Sequence, residues 1–231
     1  MKVKYFFFLI ACCLCMLSSC NSQAQETNLS VPEFEKAITK SNIQILDVRT
    51  TGEYQAGHLK NALLADWNNE VVFKERAKGL DKNKPVYTYC LSGARSNAAT
   101  QWLRQNGFTA YNLSGGISAW KRADKPIEQF GNVKQLTMVE YMAQISKDKT
   151  VLVDFTAVWC APCKKMAPVI DSLIKTHGSQ FILVKVDGGI QTDICKELKI
   201  EGFPTFIIYK KGKEIWRKEG LLEKRVFITQ F

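Results

Sequence analysis

The sequence concentrates charge of one sign nowhere, and it contains no internal repeat and no low-complexity tract. Basic residues outnumber acidic ones by 32 to 22, but the surplus is spread along the chain. Residues 20–130 carry 14 basic and 11 acidic groups, and residues 131–231 carry 16 and 11. Nucleic-acid-binding domains usually gather Lys and Arg on one face. We therefore expect no nucleic-acid partner and favour a general attraction to anionic substrates or lipid headgroups.

Cysteine is scarce once the first 19 residues are set aside. Of the eight cysteines, those that remain are Cys20, Cys90, Cys160, Cys163 and Cys195. Disulfide scaffolds are short and dense in cysteine, whereas this chain has 231 residues and ordinary apolar content. The remaining cysteines are therefore better explained by chemistry than by stapling. No second pair of ligands has the spacing of a zinc site, so we predict no metal and no other cofactor.

Long apolar runs are also missing. The longest, residues 5–17, follows a short basic start and is too brief to span a bilayer comfortably. It is typical of a secretory signal, and its end, Leu17-Ser18-Ser19-Cys20, resembles the bacterial lipobox. The resemblance implies a signal peptide over residues 1–19, lipidation of Cys20, a tether over residues 20–28, and attachment to a membrane of the bacterial cell envelope, facing the periplasm. An ordinary signal peptide or an uncleaved anchor remains open.

The first domain, residues 29–125, alternates short apolar segments with amphipathic ones. Strands are predicted at residues 43–48, 86–89 and 111–113, and helices at residues 32–40, 68–78, 95–106 and 117–122. This alternation predicts an α/β layer with a parallel sheet.

Cys90 stands at the end of the second predicted strand, and Arg95 follows where a helix begins. Ligand sites in open α/β sheets lie at the carboxyl ends of strands. Backbone amides of a tight loop, with a helix N-terminus behind them, favour an anion such as a thiolate. Gly93 permits the loop to turn back over the sulfur. Arg95 has two open roles: donating to an oxyanion substrate or fixing the loop.

Three signatures in this domain resemble the rhodanese family. They are Leu46-Asp47-Val48-Arg49 with Glu53-Tyr54 and Gly57-His58, the loop Cys90-Leu91-Ser92-Gly93-Ala94-Arg95-Ser96, and Asn112-Leu113-Ser114-Gly115-Gly116 leading to Trp120. The resemblance implies that Cys90 accepts sulfane sulfur from a donor such as thiosulfate and becomes a persulfide. The amides of Leu91, Ser92, Gly93, Ala94 and Arg95 would cradle the outer sulfur. Asp47, Arg49 and His58 are expected to be scaffold.

Two alternatives compete for Cys90. The first alternative is that Cys90 is a small buried apolar residue, although the Gly and Arg at this spacing argue against that. A phosphatase of the Cys-loop-Arg type resembles rhodaneses here but usually has one more residue between Cys and Arg. The short loop favours sulfur over phosphate.

A polar linker, residues 126–132, broken by Pro126 and Gly131, leads to the second domain at residues 133–231. There, a strand over residues 150–157 precedes Cys160-Ala161-Pro162-Cys163 and an amphipathic helix. This spacing places one thiol at the helix N-terminus and the other a turn inside, close enough to form a disulfide. Cys160 is expected to be exposed. Because the helix dipole favours its thiolate, Cys160 is expected to attack first, with Cys163 as the resolving thiol.

The second domain resembles thioredoxin over residues 151–168, at residues 185–187 and at residues 202–206. The resemblance implies a thioredoxin fold, a cis Phe203–Pro204 peptide beside the dithiol, and pairing of Phe203 and Pro204 with the substrate backbone. Asp154 is either a general base for Cys163 or a simple buried acid, and Lys185 is expected to tune it. Ala161 stands where thioredoxins usually carry Gly, which leaves the direction of electron transfer open.

The fold class is thus α/β, a rhodanese-like parallel-sheet domain followed by a thioredoxin-fold domain. The first hypothesis is an extracytoplasmic enzyme in which Cys90 carries sulfane sulfur and the Cys160/Cys163 dithiol reduces it or reduces client disulfides. The second is a general thiol–disulfide oxidoreductase with a non-catalytic first domain. The third is a sulfur-binding or protein-binding lipoprotein without enzymatic activity. The expected partners are a sulfane-sulfur donor, thiol or protein-disulfide clients and a membrane.

Overall fold

The structure, a computed structural model, describes residues 27–131 and 133–231. The predicted signal peptide, the lipidation site Cys20 and the tether as far as residue 26 lie outside the described residues. Within the described ranges, no helix combines the length and the apolar character needed to cross a membrane.

The first domain is built on a parallel sheet, as the sequence predicts. Its strands are β1 (Asn28–Leu29), β2 (Gln44–Asp47), β3 (Leu63–Leu64), β4 (Val86–Tyr89) and β5 (Ala110–Leu113). They lie in the order β1-β5-β4-β2-β3, and every pair is parallel. All four residues of the central β4 are buried, as expected of a strand covered on both faces.

Among the described residues, five helices accompany this sheet. They are α1 (Val31–Ile38), α2 (Thr51–Gln55), α3 (Glu70–Ala77), α4 (Ala94–Gln105) and α5 (Gly116–Arg122). The first two begin with capping boxes, in which Ser30 pairs with Glu33 and Thr50 pairs with Glu53. These local pairs fix where each helix begins.

The second domain has a mixed sheet. Its strands are β6 (Thr150–Thr156), β7 (Phe181–Asp187), β8 (Thr205–Lys210) and β9 (Lys213–Glu219), in the order β7-β6-β8-β9. β7 runs parallel to β6, whereas β8 and β9 are antiparallel to their neighbours. Its helices are α6 (Met138–Ala143), α7 (Ala161–His177), α8 (Thr192–Glu197) and α9 (Lys224–Ile228).

One buried apolar cluster spans both domains. Tyr54 and Leu64 of the first domain belong to the same buried cluster as Trp159, Cys160 and Cys163 of the second. These five residues are called the shared cluster below. Because apolar burial is the main favourable term in domain association, the cluster holds the two domains together.

The linker is attached to the first domain. His58 and Glu128 exchange two backbone hydrogen bonds of 2.8 Å, and Phe130 packs its ring 5.3 Å from the ring of His58. On the other side, Leu136 donates its backbone N–H to the side chain of Gln191 at 2.6 Å, so the second domain holds its own end of the connection.

Candidate active sites of the two domains

Cys90 follows β4 directly and lies at the carboxyl end of the first sheet, as predicted. Its side chain is buried, whereas the neighbouring Leu91 is 48% exposed at the rim of the loop. The strand therefore ends with the sulfur buried beneath its own loop.

The loop stabilises an ionised sulfur. The backbone N–H of Gly93 donates to Cys90 Sγ at 3.1 Å. Burial raises the pKa of the Cys90 thiol, but hydrogen bonds from the hydroxyl and amide of Ser96 and from the amides of Gly93 and Ser92 outweigh burial and lower the pKa below its ordinary value. The thiolate is the nucleophilic form, so this environment suits Cys90 to attack an electrophilic sulfur.

Two glycines let neighbouring backbones approach the Cys90 loop closely. Gly93 has a φ of +101° and forms the N-cap of α4. Gly116, with a φ of +56°, approaches the loop so closely that a Cβ would meet the Cys90 carbonyl oxygen at 2.4 Å. Only glycine fits at such a point of approach, which fixes the loop between β5 and α5 against the Cys90 loop.

Arg95 fixes the loop, which is one of its two predicted roles. Its guanidinium donates to both carboxylate oxygens of Glu53, at 2.9 and 2.7 Å, and so ties the start of α4 to α2. The hydrogen bonds from Arg95, against the opposing effect of burial, lower the pKa of Glu53 to about 2. Because its guanidinium is already paired with Glu53, Arg95 offers fewer hydrogen-bond donors to an oxyanion than an unpaired arginine would.

Asp47, Arg49 and His58 have the contacts of scaffold residues. Arg49 donates to both oxygens of Asp47 and to the Gly57 carbonyl at 2.7 Å, and the pair is buried. The His58 ring stacks on Tyr54 with ring centres 3.8 Å apart.

Cys160 and Cys163 are joined in a disulfide, with their Cα atoms 5.3 Å apart. Cys160 is the N-cap of α7, and its Sγ lies 3.1 Å from the backbone N–H of Cys163. The same Sγ lies 3.5 Å from the carbonyl oxygen of Phe203, and the Phe203–Pro204 peptide is cis, as the resemblance implies. A helix N-terminus at this sulfur favours its thiolate in the reduced state.

The expected exposure of Cys160 is wrong for this arrangement of the chain. Cys160 is 0% exposed and Cys163 is 8% exposed. The sequence reasoning treated the second domain by itself, whereas the first domain packs over its disulfide through the shared cluster.

Asp154 is a buried carboxyl in the middle of β6. Burial raises its pKa to about 6, and the charge of Lys185 opposes that shift. Lys185 lies directly beside Asp154 in the register of β6 and β7, as the expected tuning requires. A carboxyl with a pKa near neutrality suits proton exchange, the property that a general base needs.

Cys195 is a core residue of the second domain. Burial raises its pKa to about 11, and the charge of Asp187 adds to the shift. Such a thiol is protonated at neutral pH and unreactive. This environment fits the packing role expected from its helical pattern.

Sequence reasoning did not single out Glu53, Ser96 and Arg76 as site residues. Glu53 holds Arg95, Ser96 lowers the pKa of Cys90, and the Arg76 guanidinium lies 4.5 Å from the ring centre of Trp159. The first two lie within the quoted signatures, so their positions carried a signal. Arg76 lies in no sequence motif, because its contact with Trp159 exists only once the two domains are docked.

A cleft of about 1380 Å³ runs beside the docked domains. Eight lysines line it against two acidic residues, and Ala161 of the dithiol motif lies at its edge. Its charge agrees with the preference for anions expected from the composition.

The site geometry thus describes two thiol centres on two α/β domains, a protected single cysteine under a strand-end loop and a disulfide at a helix N-terminus. Family models match both domains. The thioredoxin family model matches residues 132–231 and the rhodanese-like domain model matches residues 30–123. The chain belongs to the thioredoxin family through its second domain, and that domain follows a rhodanese-like domain.

Individual relatives match the second domain. Thioredoxin from Echinococcus granulosus is 36% identical over 39% of this chain and 84% of its own length. Chloroplastic thioredoxin X from Arabidopsis thaliana is 31% identical over 49% of this chain, which spans 64% of that relative's length. Among solved structures, a rhodanese-related protein from Thermoplasma volcanium is 25% identical, with a TM-score of 0.41, over 45% of this chain and 98% of its own.

Proposed function

We propose that the chain is a rhodanese-type sulfurtransferase coupled to a thioredoxin-type thiol–disulfide oxidoreductase. One observation carries the proposal: the Cys90 thiol has a lowered pKa and lies in the same chain as the Cys160–Cys163 disulfide. The Cys90 sulfur accepts a hydrogen bond from the Gly93 backbone N–H. The basic start, apolar run and Cys20 of the leader support a place in the bacterial cell envelope, lipid-anchored and facing the periplasm.

The reaction begins at Cys90. Its thiolate attacks the outer sulfur of a donor such as thiosulfate, the donor's S–S bond breaks, and sulfite leaves with the bonding electron pair. Cys90 then holds the sulfur as a persulfide. The amides of the loop from Leu91 to Arg95 receive the outer sulfur, because backbone donors in a tight loop favour an anion.

The dithiol discharges the persulfide. The Cys160 thiolate attacks the outer sulfur, the bond to Cys90 breaks, and Cys90 leaves as a thiolate. Cys163, having given its proton to Asp154, attacks the Cys160 sulfur, closes the disulfide and expels hydrosulfide. The two cysteines lose two electrons, which the transferred sulfur gains, and an external thiol reductant restores the dithiol.

Mass spectrometry of the intact chain tests the first half. After thiosulfate, we expect Cys90 to gain the mass of one sulfur atom, and a Cys90→Ser variant to gain none. A Cys195→Ser variant is the matched control, because Cys195 lies outside both sites. Equal labelling of wild type and Cys90→Ser would refute the persulfide.

Sulfide release tests the second half. We expect Cys160→Ser to form the Cys90 persulfide as wild type does but to release sulfide at least about tenfold more slowly with a dithiol, because the attacking thiolate is missing. Unchanged release would disprove the coupling of the two centres.

A second candidate function is a general thiol–disulfide oxidoreductase with a non-catalytic first domain. The bidentate pairing of Arg95 with Glu53 favours it, since this guanidinium has fewer donors left for a thiosulfate anion. Here we expect a Cys90→Ser variant to reduce insulin disulfides as fast as wild type, while wild type does not turn over thiosulfate.

A further inference from the structure

The disulfide of the second domain is covered by the first. Trp159, Cys160 and Cys163 are 1%, 0% and 8% exposed. Thiol–disulfide exchange needs direct approach of one sulfur to another, so a covered disulfide cannot react with an outside protein. The covering domain therefore limits every reaction between this disulfide and an outside protein.

The covering contacts are specific on the Trp159 side. The Leu64 backbone N–H donates to the Trp159 carbonyl oxygen at 3.0 Å, although Leu64 belongs to β3 of the first domain. The Tyr54 ring packs edge-on, 6.2 Å from the Trp159 ring, and the Arg76 guanidinium lies over the same indole. Burial lowers the pKa of Arg76 only to about 10, so it remains a cation at neutral pH, suited to the face of the indole.

The docking continues at the start of α7. The Cα of Gly79 lies so near Ala161 and Pro162 that a Cβ there would meet the Pro162 nitrogen at 2.4 Å. Beside it, Lys165 Nζ donates to the Lys78 carbonyl oxygen at 2.6 Å. This contact places the end of α3 directly on the dithiol motif.

A third contact lies at the loop after β7. Gln55 Nε2 donates to the Gly189 carbonyl oxygen at 2.9 Å, which joins α2 to the loop after β7. The first domain thus touches the dithiol motif, the tryptophan before it and the facing loop.

We propose that the rhodanese-like domain is the resident occupant of the face on which the thioredoxin domain receives its partners, and that an external polypeptide must displace it to reach the disulfide. Leu64 occupies this face as an extended, apolar segment that donates one main-chain hydrogen bond. The partner that fits is therefore an extended apolar polypeptide segment carrying a disulfide. The proposal depends on the proposed redox activity of the dithiol, but its first test does not.

The test uses a substitution that adds one methyl group between the two domains and so should push them apart. Gly79→Ala places a Cβ against the backbone of Ala161 and Pro162, and Gly79 has no positive φ that would strain an alanine. Gly52→Ala is the matched control, because a Cβ at Gly52 meets nothing within 4 Å. Gln55→Ala is a second, milder variant, which removes the hydrogen bond to Gly189 without adding an atom.

The first measurement is the alkylation rate of Cys160 in the reduced full chain, with iodoacetamide and peptide mass spectrometry. We expect Gly79→Ala to react about tenfold faster than wild type, as when an accessible state rises from about a tenth of the molecules to nearly all. Gln55→Ala should lie between the two, and Gly52→Ala should equal wild type. Equal rates in Gly79→Ala, Gln55→Ala and wild type would overturn the proposal.

The second measurement is insulin-disulfide reduction by the same variants, for which we expect the same order. If wild type reduces insulin and Gly79→Ala, although alkylated faster, reduces it no faster than wild type, the proposal is also overturned, because competition for the face would then not limit turnover. Absence of insulin reduction in all variants, with faster alkylation of Gly79→Ala, would count against the dithiol activity while leaving the occlusion supported.

Discussion

At the scale of single residues, the two thiol centres are activated by different neighbours. Cys90 relies on amides and a hydroxyl within its own loop, whereas Cys160 relies on the N-terminus of a long helix. The first kind of activation depends on individual hydrogen bonds and can be removed one side chain at a time. The second depends on backbone that no side-chain substitution removes.

Ser96→Ala tests the first kind. The hydroxyl of Ser96 lowers the pKa of Cys90, so its loss should raise that pKa and move the alkylation profile of Cys90 to higher pH. A hydrogen bond to a charged group contributes about 1.5 kcal/mol, so the profile should move by about one pH unit. Ser92→Ala is the control, because Ser92 acts through its amide alone. A profile unchanged in Ser96→Ala would contradict this account of the sulfur.

Asp154→Asn tests the buried carboxyl. The folded-state pKa of Asp154, about 6, lies above its ordinary value of 3.8, so the folded chain holds this proton more tightly than the unfolded chain. The stability contributed by the protonated form is therefore present below pH 4 and is lost as pH rises to about 6. Over this interval wild type should lose on the order of 3 kcal/mol relative to Asp154→Asn.

Denaturant unfolding of the oxidised chain at several pH values measures that difference. Asp193→Asn, on the exposed side of α8, is a suitable control for a general effect of losing a carboxylate. Parallel stability curves for wild type and Asp154→Asn would show that the carboxyl is ionised freely in the folded protein.

At the scale of elements, the sequence predicted best what local pattern determines. β4 and the helix that follows the Cys90 loop were expected within a residue of their observed bounds, because an apolar run and a Gly at each end of the helix define them. The two-residue strands β1 and β3 were missed. So short a strand has no periodicity of its own and exists only through pairing with β5 and β2.

The glycine contact between the β5–α5 loop and the Cys90 loop makes an element-scale prediction. Gly116→Ala combines a positive φ with a clash against backbone, whereas Gly107→Ala has a φ of +83° and only the flexible Lys82 Nζ, at 3.8 Å, nearby. A left-handed alanine costs about 1 kcal/mol, so Gly107→Ala should lose roughly that amount. Overpacking adds about 1–3 kcal/mol more to Gly116→Ala.

In chemical denaturation, Gly116→Ala should lose more free energy of unfolding than Gly107→Ala. Gly116→Ala should also slow persulfide formation, because the Cys90 loop must shift. Equal losses of stability would mean that the left-handed backbone, and not the close approach to Cys90, accounts for glycine at this position.

At the scale of the whole molecule, sequence reasoning identified both domains but not their arrangement. The residues that dock them, among them Gln55, Arg76 and Gly79, belong to no motif and share no period. Nothing local distinguishes Gly79 from any glycine after a helix. Interfaces of this kind depend on the shape of two finished surfaces, so the burial of Cys160 could not be read from Cys-x-x-Cys spacing.

The shared cluster should also make the two domains unfold together. Because Tyr54 and Leu64 lose their burial when Trp159 departs, unfolding either domain exposes apolar surface on the other. We expect one calorimetric transition for wild type and for Gly52→Ala. Gly79→Ala, with its methyl group between the domains, should give two transitions, the lower one below the wild-type midpoint. A single, unshifted transition in Gly79→Ala would mean that the contact at Ala161 and Pro162 contributes nothing to the coupling, which the other contacts of the shared cluster would then supply.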